Sequence, residues 1–405
     1  MNSTPAVARA PRAATTLNGN GDTLSMHSML ERHHNVTFSR AILNPDNPVL
    51  RDCIDRRDVL IVCTPSVDRL YGRQIHSYVS TLSKRARSKV VVVPYAESTK
   101  SIQAAVEVCE YAATAGLRRA SPIIAIGGGV CTDVVGLAAA LHHRGVPHIK
   151  VPTTLIGIVD AGIGTKNAVN LSDRKSGLGT FHPPEHSLLD PAFLSTLPDR
   201  HIRNGIAEIA KVAIIADHPL FDLLTEHGRH LVDSRFSSSN NSAADQALRL
   251  SVAGMLSELS SNLFETADYR RRMDFGHTFS PYTEVASNYT ILHGEAVAMD
   301  IALSTQIANS VGLLSDVAAN RILSLLEDLG LALTWPSTSI DNLWASLRAI
   351  TEHRNGDLHL VVPTGIASCQ YLGLDAVTPA LLSDAQVKLS RRTIDAQLSS
   401  QNAPS

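Results

Sequence analysis

A glycine-rich loop follows one of the most apolar stretches of the chain. The run Ile123–Ile126 leads directly into Gly127-Gly128-Gly129-Val130, and Asp133 and a leucine- and alanine-rich helical segment come next. Glycines allow backbone amides to approach an anion closely, and the start of a helix favours negative charge. The pattern therefore predicts a site for nucleotide phosphates, although it lacks the GxGxxG fingerprint and a tight structural turn is the alternative.

Two further polar loops follow strand-like runs. Thr153 and Thr154 come after the run His148–Val151, and Glu97 and Lys100 come after an earlier β-branched run. In a parallel sheet these loops share the carboxyl edge, where nucleotides bind. We predict that the threonine hydroxyls lie at that edge and that Glu97 accepts from ribose hydroxyls. A solvated surface pair is the alternative for Glu97 and Lys100.

The segments between these loops predict a parallel α/β sheet in the first half of the chain. Short β-branched runs alternate there with stretches long enough for a crossover. After Asp190 the strand signal largely disappears, and segments such as 246–261 and 294–310 carry apolar residues at helical spacing. We predict an α/β domain over residues 31–190 and an all-helical domain over residues 191–390, with a ligand in the cleft between them.

The two chain ends differ in composition from the rest. The first two dozen residues are rich in alanine, threonine and asparagine, and residues 391–405 are mostly polar or small. We predict a disordered tail over residues 1–30 and a frayed end over the last fifteen residues. Arg9 and Arg12, with no acid before Asp22, faintly resemble an organelle transit peptide, which is the alternative for the first segment.

The overall composition excludes several classes of protein. The 405 residues are 44% hydrophobic, and the 36 basic and 38 acidic side chains nearly cancel, so no global field attracts nucleic acid or anionic lipid. No apolar run approaches the ~20 residues of a membrane helix. The five cysteines are scattered without a CxxC pair, which is typical of reduced thiols. We expect a cytoplasmic protein that binds neither nucleic acid nor membrane.

Six motifs occur in order along the chain between about residues 58 and 365. They are GGGVCTDVVG, RGVPHIKVPTTLIGIVDAGIGTKNAVN, GTFHPP, NGIAEIAK, DFGHTF and LHGEAVAMD. This ordered set resembles the dehydroquinate synthase superfamily. The resemblance implies an NAD-binding α/β domain, a helical metal-binding domain, one divalent metal (Zn²⁺ or Co²⁺) and a homodimer.

By the same resemblance, the metal ligands are Glu208 of NGIAEIAK, His277 of DFGHTF and His293 of LHGEAVAMD. One carboxylate and two imidazoles leave coordination positions open, which suits a catalytic zinc site that binds substrate hydroxyls. The spacing of these residues alone does not predict a metal site, because the gaps between them are long.

The resemblance also assigns residues to the substrate and to the dinucleotide. A phosphate dianion that must be held and then expelled requires cations in its pocket. The residues expected to line the substrate pocket are Asp160, Lys166, Lys175, Lys211, Arg270, Asp274 and Arg354, with Arg144 reaching into the neighbouring subunit's site. The residues expected at the cofactor are Asp68, Glu97, Lys100, Gly128, Gly129, Val130, Asp133, Thr153 and Thr154, together with Asp160, Lys166 and Lys175.

The pocket motifs depart from the plain dehydroquinate synthase pattern. That pattern has an asparagine where this chain has Asp274, and a second histidine where it has Pro281. Met255 replaces a lysine expected before Arg270, and Ser176 replaces an asparagine expected after the second pocket lysine. These changes remove a cation, an amide and an imidazole from one pocket, so they favour a substrate with a different anionic pattern.

Met255, Asp274 and the run Ser280-Pro281-Tyr282 resemble the valiolone synthase branch of the superfamily. This branch acts on sedoheptulose 7-phosphate, which has a hydroxymethyl group where the heptulosonate substrate of dehydroquinate synthase has a carboxylate. In the implied reaction the C5 hydroxyl is oxidised with NAD as transient acceptor, and phosphate leaves by β-elimination. C5 is then reduced again, and an intramolecular aldol addition closes the ring to give 2-epi-5-epi-valiolone. We therefore expect a phosphate-eliminating lyase.

Other functions remain open at this point. Desmethyl-4-deoxygadusol synthase, which uses the same sugar, and 3-dehydroquinate synthase itself are alternatives within the superfamily. A metal-dependent polyol dehydrogenase of the related glycerol dehydrogenase fold would accumulate NADH, whereas a cyclase would not. An inactive NAD-binding scaffold is the non-enzymatic alternative, and the intact metal triad and pocket lysines argue against it.

The glycine loop gives a first testable prediction. The substitution Gly129→Val is expected to weaken NAD binding strongly, because a branched side chain blocks the approach of the pyrophosphate to the backbone amides. Calorimetric titration with NAD measures the effect. An unchanged NAD affinity would mean that the glycine loop is only a turn.

Overall fold

The computed structural model describes residues 30–82, 86–172, 174–237, 242–265, 270–335, 339–353 and 356–401. Its first half contains a six-stranded, fully parallel sheet with spatial order β1-β8-β5-β4-β2-β3. The strands of this sheet are β1 (Asn35–Phe38), β2 (Val59–Cys63), β3 (Ser88–Val92), β4 (Ile123–Gly127), β5 (His148–Pro152) and β8 (His186–Leu189). In the chain segment that connects β5 to β8, the strands β6 (Lys166–Leu171) and β7 (Arg174–Phe181) form a separate antiparallel hairpin.

Helices cover both faces of this sheet. They are α1 (Val49–Ile54), α2 (Pro65–Leu82), α3 (Ile102–Thr114) and α4 (Gly129–Leu141). Their apolar sides form two separate cores, one around Val108 and Val134 and the other around Ile75 and Tyr78. All five residues of β2, β4 and β5 are buried, which is why these strands appear in the sequence as continuous apolar runs.

The second half is helical, which confirms the predicted fold class. Its helices are α5 (Asp199–Ile215), α6 (His218–Asp233), α7 (Ala243–Ser261), α8 (Ser280–Ala286), α9 (His293–Ser310), α10 (Asp316–Asp328), α11 (Ile340–His353) and α12 (Pro379–Gln401). Every residue of α9 from Ala296 to Ala308 is buried, and so is every residue of α5 from Asn204 to Ile215. These two helices pack together at the centre of the domain, so polar groups on their inner faces are withdrawn from water.

Two details differ from the sequence-based expectation. The helical half also contains an antiparallel hairpin, β9 (Leu360–Gly365) and β10 (Ser368–Leu372), so it is not all-helical. The last helix continues to Gln401, where a frayed end was expected from residue 391. The predicted N-terminal tail, apart from Leu30, lies outside the described residues. Among the helices of the described segments, none is long and apolar enough to cross a bilayer.

The sheet contains a buried histidine that gives a pH-dependent prediction. His148 on β5 is fully buried, stacks on His182 at a centroid distance of 5.1 Å, and hydrogen-bonds no other described residue through either ring nitrogen. Burial, followed by the charge of Lys150, lowers the pKa of His148 well below its ordinary value of 6.5. Below that pH the unfolded chain takes up a proton that the folded protein excludes, so folding stability falls as pH falls.

The free energy of unfolding should therefore decrease below pH 6.5 by up to about 1.4 kcal/mol per pH unit for this histidine alone. The variant His148→Phe keeps an aromatic ring but cannot titrate, so its stability should decline less steeply. Guanidinium unfolding between roughly pH 7.5 and 5 measures both slopes. The exposed His76→Phe serves as the control. Parallel pH profiles for wild type and His148→Phe would contradict the prediction.

Candidate active site and metal centre

Three residues from distant parts of the sequence meet at the centre of the helical half. Glu208 lies on α5, His277 lies in the turn before α8, and His293 is the first residue of α9. One ligand atom from each of these side chains lies within 4.8 Å of the other two. The structure thus brings together the carboxylate and the two imidazoles that the resemblance assigned to the metal.

The close packing of α5 and α9 sets the position of His293. A side chain at Gly294 would place its Cβ 1.8 Å from the carbonyl oxygen of Asn204, so only glycine fits there. The Gly294 amide also donates to the Asn204 side-chain oxygen at 2.6 Å. Asn204 is one helical turn before Glu208, and this contact therefore brings the His293 ring over the Glu208 carboxylate.

A buried aspartate holds the segment that carries His277. Asp300 on α9 accepts hydrogen bonds from the backbone amides of Phe279 (2.5 Å) and Ser280 (3.0 Å), and from the hydroxyl of Ser304 (3.1 Å). These bonds satisfy the otherwise free amides at the start of α8. Asp300 is the last residue of the motif LHGEAVAMD, so one motif supplies both His293 and the anchor for His277.

Both histidine rings present the same nitrogen to Glu208. His277 Nδ1 lies 3.0 Å from the carbonyl oxygen of Phe275, and His293 Nδ1 lies 2.8 Å from Oε1 of Glu284. The two Nε2 atoms lie 3.6 Å and 3.3 Å from Oε1 of Glu208. An acceptor behind each ring fixes the tautomer that leaves Nε2 free to bind a metal.

The environment of Glu208 suits a divalent cation. Its side chain is fully buried. Lys211 Nζ lies 2.5 Å from Oε2, and the two imidazole rings face Oε1. A buried carboxylate between an ammonium group and two imidazoles is a fitting hard ligand for Zn²⁺ or Co²⁺.

The pKa values in this cluster follow from burial and from neighbouring charge. Burial opposes ionisation of Glu208, but the charge of Lys211 and the two histidines keep its pKa well below the ordinary range. Burial, together with Lys211, lowers the pKa of His277 to about 3, so this ring is neutral. Burial also disfavours a charged His293, but the carboxylates of Glu284 and Glu208 raise its pKa to about 9.

Two of the predicted pocket residues lie beside this centre. Lys211 is 2% exposed; burial opposes its charge, but Glu208 and then Asp160 raise its pKa. Asp160 is carried by a π-helical turn at Gly157–Ala161 after β5. Burial and the nearby Glu208 carboxylate raise the pKa of Asp160 above its usual value.

The two predicted lysines of the β6–β7 hairpin are ion-paired. Lys175 pairs with Glu284, which is 3% exposed, and Lys175 Nζ also lies 3.2 Å from His293 Nδ1. Lys166 pairs with Glu265, and its side chain is 51% exposed. The hairpin of the first half of the chain therefore reaches the metal centre of the second half.

Asp274, the aspartate that departs from the dehydroquinate synthase pattern, has a positively charged partner. Arg271 lies 2.6 Å from Asp274 Oδ1 and also pairs with Glu265. Asp274 is close enough to Lys211 to raise the pKa of that lysine. Arg271 was not among the predicted residues, which included the neighbouring Arg270 instead.

The predicted dinucleotide residues lie at the carboxyl edge of the parallel sheet. Helix α4 begins at Gly129 without a side-chain cap at Gly128, so its first amides, at the end of β4, are not bonded to a capping side chain. A Cβ at Gly128 would lie 3.2 Å from Thr154, and one at Gly129 would lie 3.3 Å from Ala161. These contacts leave a glycine-lined cradle that side chains would fill, and it fits a pyrophosphate.

The remaining cofactor candidates surround this cradle. Lys100 is 5% exposed and pairs with Asp133 at 2.6 Å. Glu97 accepts a hydrogen bond from the Asn170 amide at 3.2 Å, and Thr154 accepts one from the Gly157 amide at 3.1 Å. The other three, Asp68 in the first turn of α2, Thr153 after β5 and Val130 in α4, lie at the ends of the strands as expected.

Several predicted residues are not brought into the cluster. Arg144 is exposed in the turn after α4, with a positive φ of 64°. Arg270 is also exposed. Arg354 lies outside the described residues. Met255 is 5% exposed on α7 and belongs to the core of the helical half.

Sequence reasoning missed three site residues: Glu284, Glu265 and Arg271. Each is a single charged residue without a spacing pattern of its own. The available signal for Glu284 was that it is the one charged residue in the sequence between His277 and His293. No signal distinguishes Arg271 from its neighbours in the run of three arginines at 270–272.

The geometry of the triad predicts the consequence of removing one ligand. Removal of a residue that only supports a metal ligand lowers metal affinity about 10- to 100-fold. His277→Ala removes a ligand itself, so its Zn²⁺ affinity should fall by more than that, and turnover should be abolished. The fold should persist, because the His277 side chain is neutral and 25% exposed, and Lys211 still pairs with the buried Glu208 carboxylate. Metal content after dialysis and circular dichroism measure the two effects, with the exposed His76→Ala as control. Stoichiometric tight metal in His277→Ala would exclude this residue as a ligand.

Comparison with known proteins agrees with this geometry. Family models for the 3-dehydroquinate synthase N-terminal and C-terminal domains match residues 90–204 and 205–351. A 2-epi-5-epi-valiolone synthase from Streptomyces hygroscopicus subsp. jinggangensis is 40% identical over 90% of this chain and 89% of its own. A demethyl-4-deoxygadusol synthase from Trichormus variabilis is 35% identical over 77% of each chain.

The solved structures include a similar enzyme with both cofactors. It is a 2-epi-5-epi-valiolone synthase from the same Streptomyces strain, with NAD⁺ and Zn²⁺ bound. It superposes with a TM-score of 0.85 at 40% identity, covering 90% of this chain and 99% of the other. With its two domain matches, its extensive identity and its metal-binding triad, this chain belongs to the dehydroquinate synthase superfamily of sugar phosphate cyclases.

Proposed function

We propose that this chain is a 2-epi-5-epi-valiolone synthase that converts sedoheptulose 7-phosphate into 2-epi-5-epi-valiolone and inorganic phosphate. It is then a carbon–oxygen lyase that works as a cytoplasmic homodimer, and its five free thiols suit a reducing compartment. One observation carries the proposal. The metal-binding triad and its lysines are intact, while Asp274 stands where the dehydroquinate synthase pattern has an asparagine.

NAD and one divalent metal are the cofactors that the site fits. Glu208, His277 and His293 would hold the metal, and the amides at Gly128–Val130 would hold the NAD pyrophosphate. When bound, NAD exchanges a hydride with C5 of the sugar and the metal polarises the C5 oxygen. The solved relative, which contains NAD⁺ and Zn²⁺, supports this pairing.

The lysines of the pocket suit a phosphate dianion that is bound and later released. Lys166 is half exposed, so it can turn toward an incoming phosphate at little desolvation cost. Lys211 is buried and close to Asp160, so its charge stays within the pocket. Arg144, exposed in a turn, is the residue that would enter the partner subunit's site.

Asp274 and Arg271 support the choice of the sugar over the acid. The carboxylate of a heptulosonate would meet the negative charge of Asp274, which is costly in a partly buried pocket. The hydroxymethyl group of sedoheptulose 7-phosphate can instead donate a hydrogen bond to Asp274. Arg271 balances the charge of Asp274 and so lessens its repulsion of the phosphate elsewhere in the site.

Incubation with sedoheptulose 7-phosphate, NAD and Zn²⁺ or Co²⁺, followed by product identification, tests the proposal directly. Phosphate and 2-epi-5-epi-valiolone should form without accumulation of NADH. A product lighter by one further water would identify a desmethyl-4-deoxygadusol synthase, and accumulating NADH would identify a polyol dehydrogenase.

Substrate preference is a separate prediction. We expect kcat/KM for sedoheptulose 7-phosphate to exceed that for the heptulosonate phosphate by roughly a hundredfold or more, since each lost charge-assisted contact costs about 1.5 to 3 kcal/mol. The variant Asp274→Asn should impair the reaction of the sugar phosphate. Asp328→Asn, an exposed acid on α10, should not. Equal kcat/KM for both substrates in the wild type would contradict the specificity while leaving the family unchanged.

A further inference from the structure

Glu284 connects two parts of the site that come from different halves of the chain. Its carboxylate is 3% exposed and lies on α8, between the motifs that supply His277 and His293. Oε1 lies 2.8 Å from His293 Nδ1, and Oε2 pairs with Lys175 of the β6–β7 hairpin. This buried carboxylate therefore contacts both a candidate metal ligand and a pocket lysine, and its negative charge can influence both groups.

The positions of the three groups determine which nitrogen of His293 carries the proton. Carboxylate oxygens only accept hydrogen bonds, and an ammonium group only donates them. At 2.8 Å from Oε1, Nδ1 carries a hydrogen, because two acceptors would repel one another. Lys175 Nζ also lies 3.2 Å from Nδ1, but it can donate to Oε2 of Glu284 instead. Nε2, which faces Glu208 at 3.3 Å, is then the nitrogen from which a metal would displace a proton and whose lone pair would bind it.

We propose that Glu284 is a positioning residue that holds His293 in its metal-binding tautomer and keeps Lys175 beside it. The inference rests on the proposed metal site and adds to it a requirement for a carboxylate, as distinct from any polar side chain. Removing only the charge of Glu284 should therefore impair metal binding even though shape and volume are kept.

The variant Glu284→Gln makes this requirement measurable. A glutamine offers one carbonyl oxygen and one NH₂ group to the two neighbours. Lys175 is donor-only, so it selects the carbonyl oxygen and leaves the NH₂ group facing His293 Nδ1. Nδ1 must then accept, the ring proton moves to Nε2, and the metal-facing nitrogen loses its lone pair.

Lys175 is therefore expected to determine how harmful the glutamine is. In Glu284→Gln, Lys175→Met, nothing selects the carbonyl oxygen on the lysine side, and the amide can turn so that it accepts from Nδ1–H. The double variant should then recover metal affinity that the single variant lost. A purely structural role for Glu284 predicts the opposite, because a second buried change would add to the first.

The experiment measures Zn²⁺ affinity by competition with a chelator, and the visible spectrum of the Co²⁺-loaded protein, for the full chain. We expect Glu284→Gln to weaken Zn²⁺ binding about 10- to 100-fold and to alter the Co²⁺ spectrum. The double variant should recover most of that loss. Glu327→Gln is the matched control, because Glu327 lies on α10 and pairs with a cation, Arg392, on α12.

The outcomes separate this inference from the proposed function. Wild-type affinity and spectrum in Glu284→Gln would overturn the positioning role while leaving the metal site intact. An equal or greater loss in the double variant would also overturn it, because the tautomer would not be the cause. A wild-type protein that binds neither Zn²⁺ nor Co²⁺ would overturn the metal site of the proposed function and this inference together.

Discussion

The buried charge of Glu208 is the constraint on which the site depends. A carboxylate withdrawn from water costs several kcal/mol unless opposite charge or a metal compensates it. Glu208 lies in the middle of α5, where every surrounding residue is buried. The compensating groups are Lys211 on the same helix, His277 and His293. The positions of α8 and α9 place His277, just before α8, and His293, at the start of α9, next to this carboxylate.

Around Glu208, acidic and basic side chains alternate in a network of ion pairs. Glu284 lies between His293 and Lys175, and Glu265 lies between Lys166 and Arg271. In such a network, a change of one charge alters the balance at each of its neighbours. The aspartate at position 274 illustrates this, because it occurs together with an arginine within contact distance.

The same network joins the two halves of the chain. Lys166 and Lys175 belong to a hairpin of the α/β half, while their carboxylate partners belong to the helical half. The nucleotide edge of the sheet and the metal centre are therefore connected by ion pairs as well as by the turn that carries Asp160. In a reaction where a cofactor and a metal act on the same carbon, these ion pairs would hold the cofactor site and the metal site in a fixed relative position.

The sequence by itself determined the elements and the candidate chemistry. The buried strands β2, β4 and β5 were predictable because strands covered on both faces are continuous apolar runs. The glycine loop was predictable because few other residues allow such a backbone approach. Short strands such as β1 and the hairpin β9–β10 have no comparable signal, since their pairing comes from distant contacts.

The triad was identified through motifs, because residues far apart in sequence carry no information about their separation in space. Only the tertiary structure decided that Gly294 brings α9 against Asn204, that Arg271 contacts Asp274, and that Glu284 faces His293. Those contacts depend on the packing of helices, which local sequence patterns do not encode.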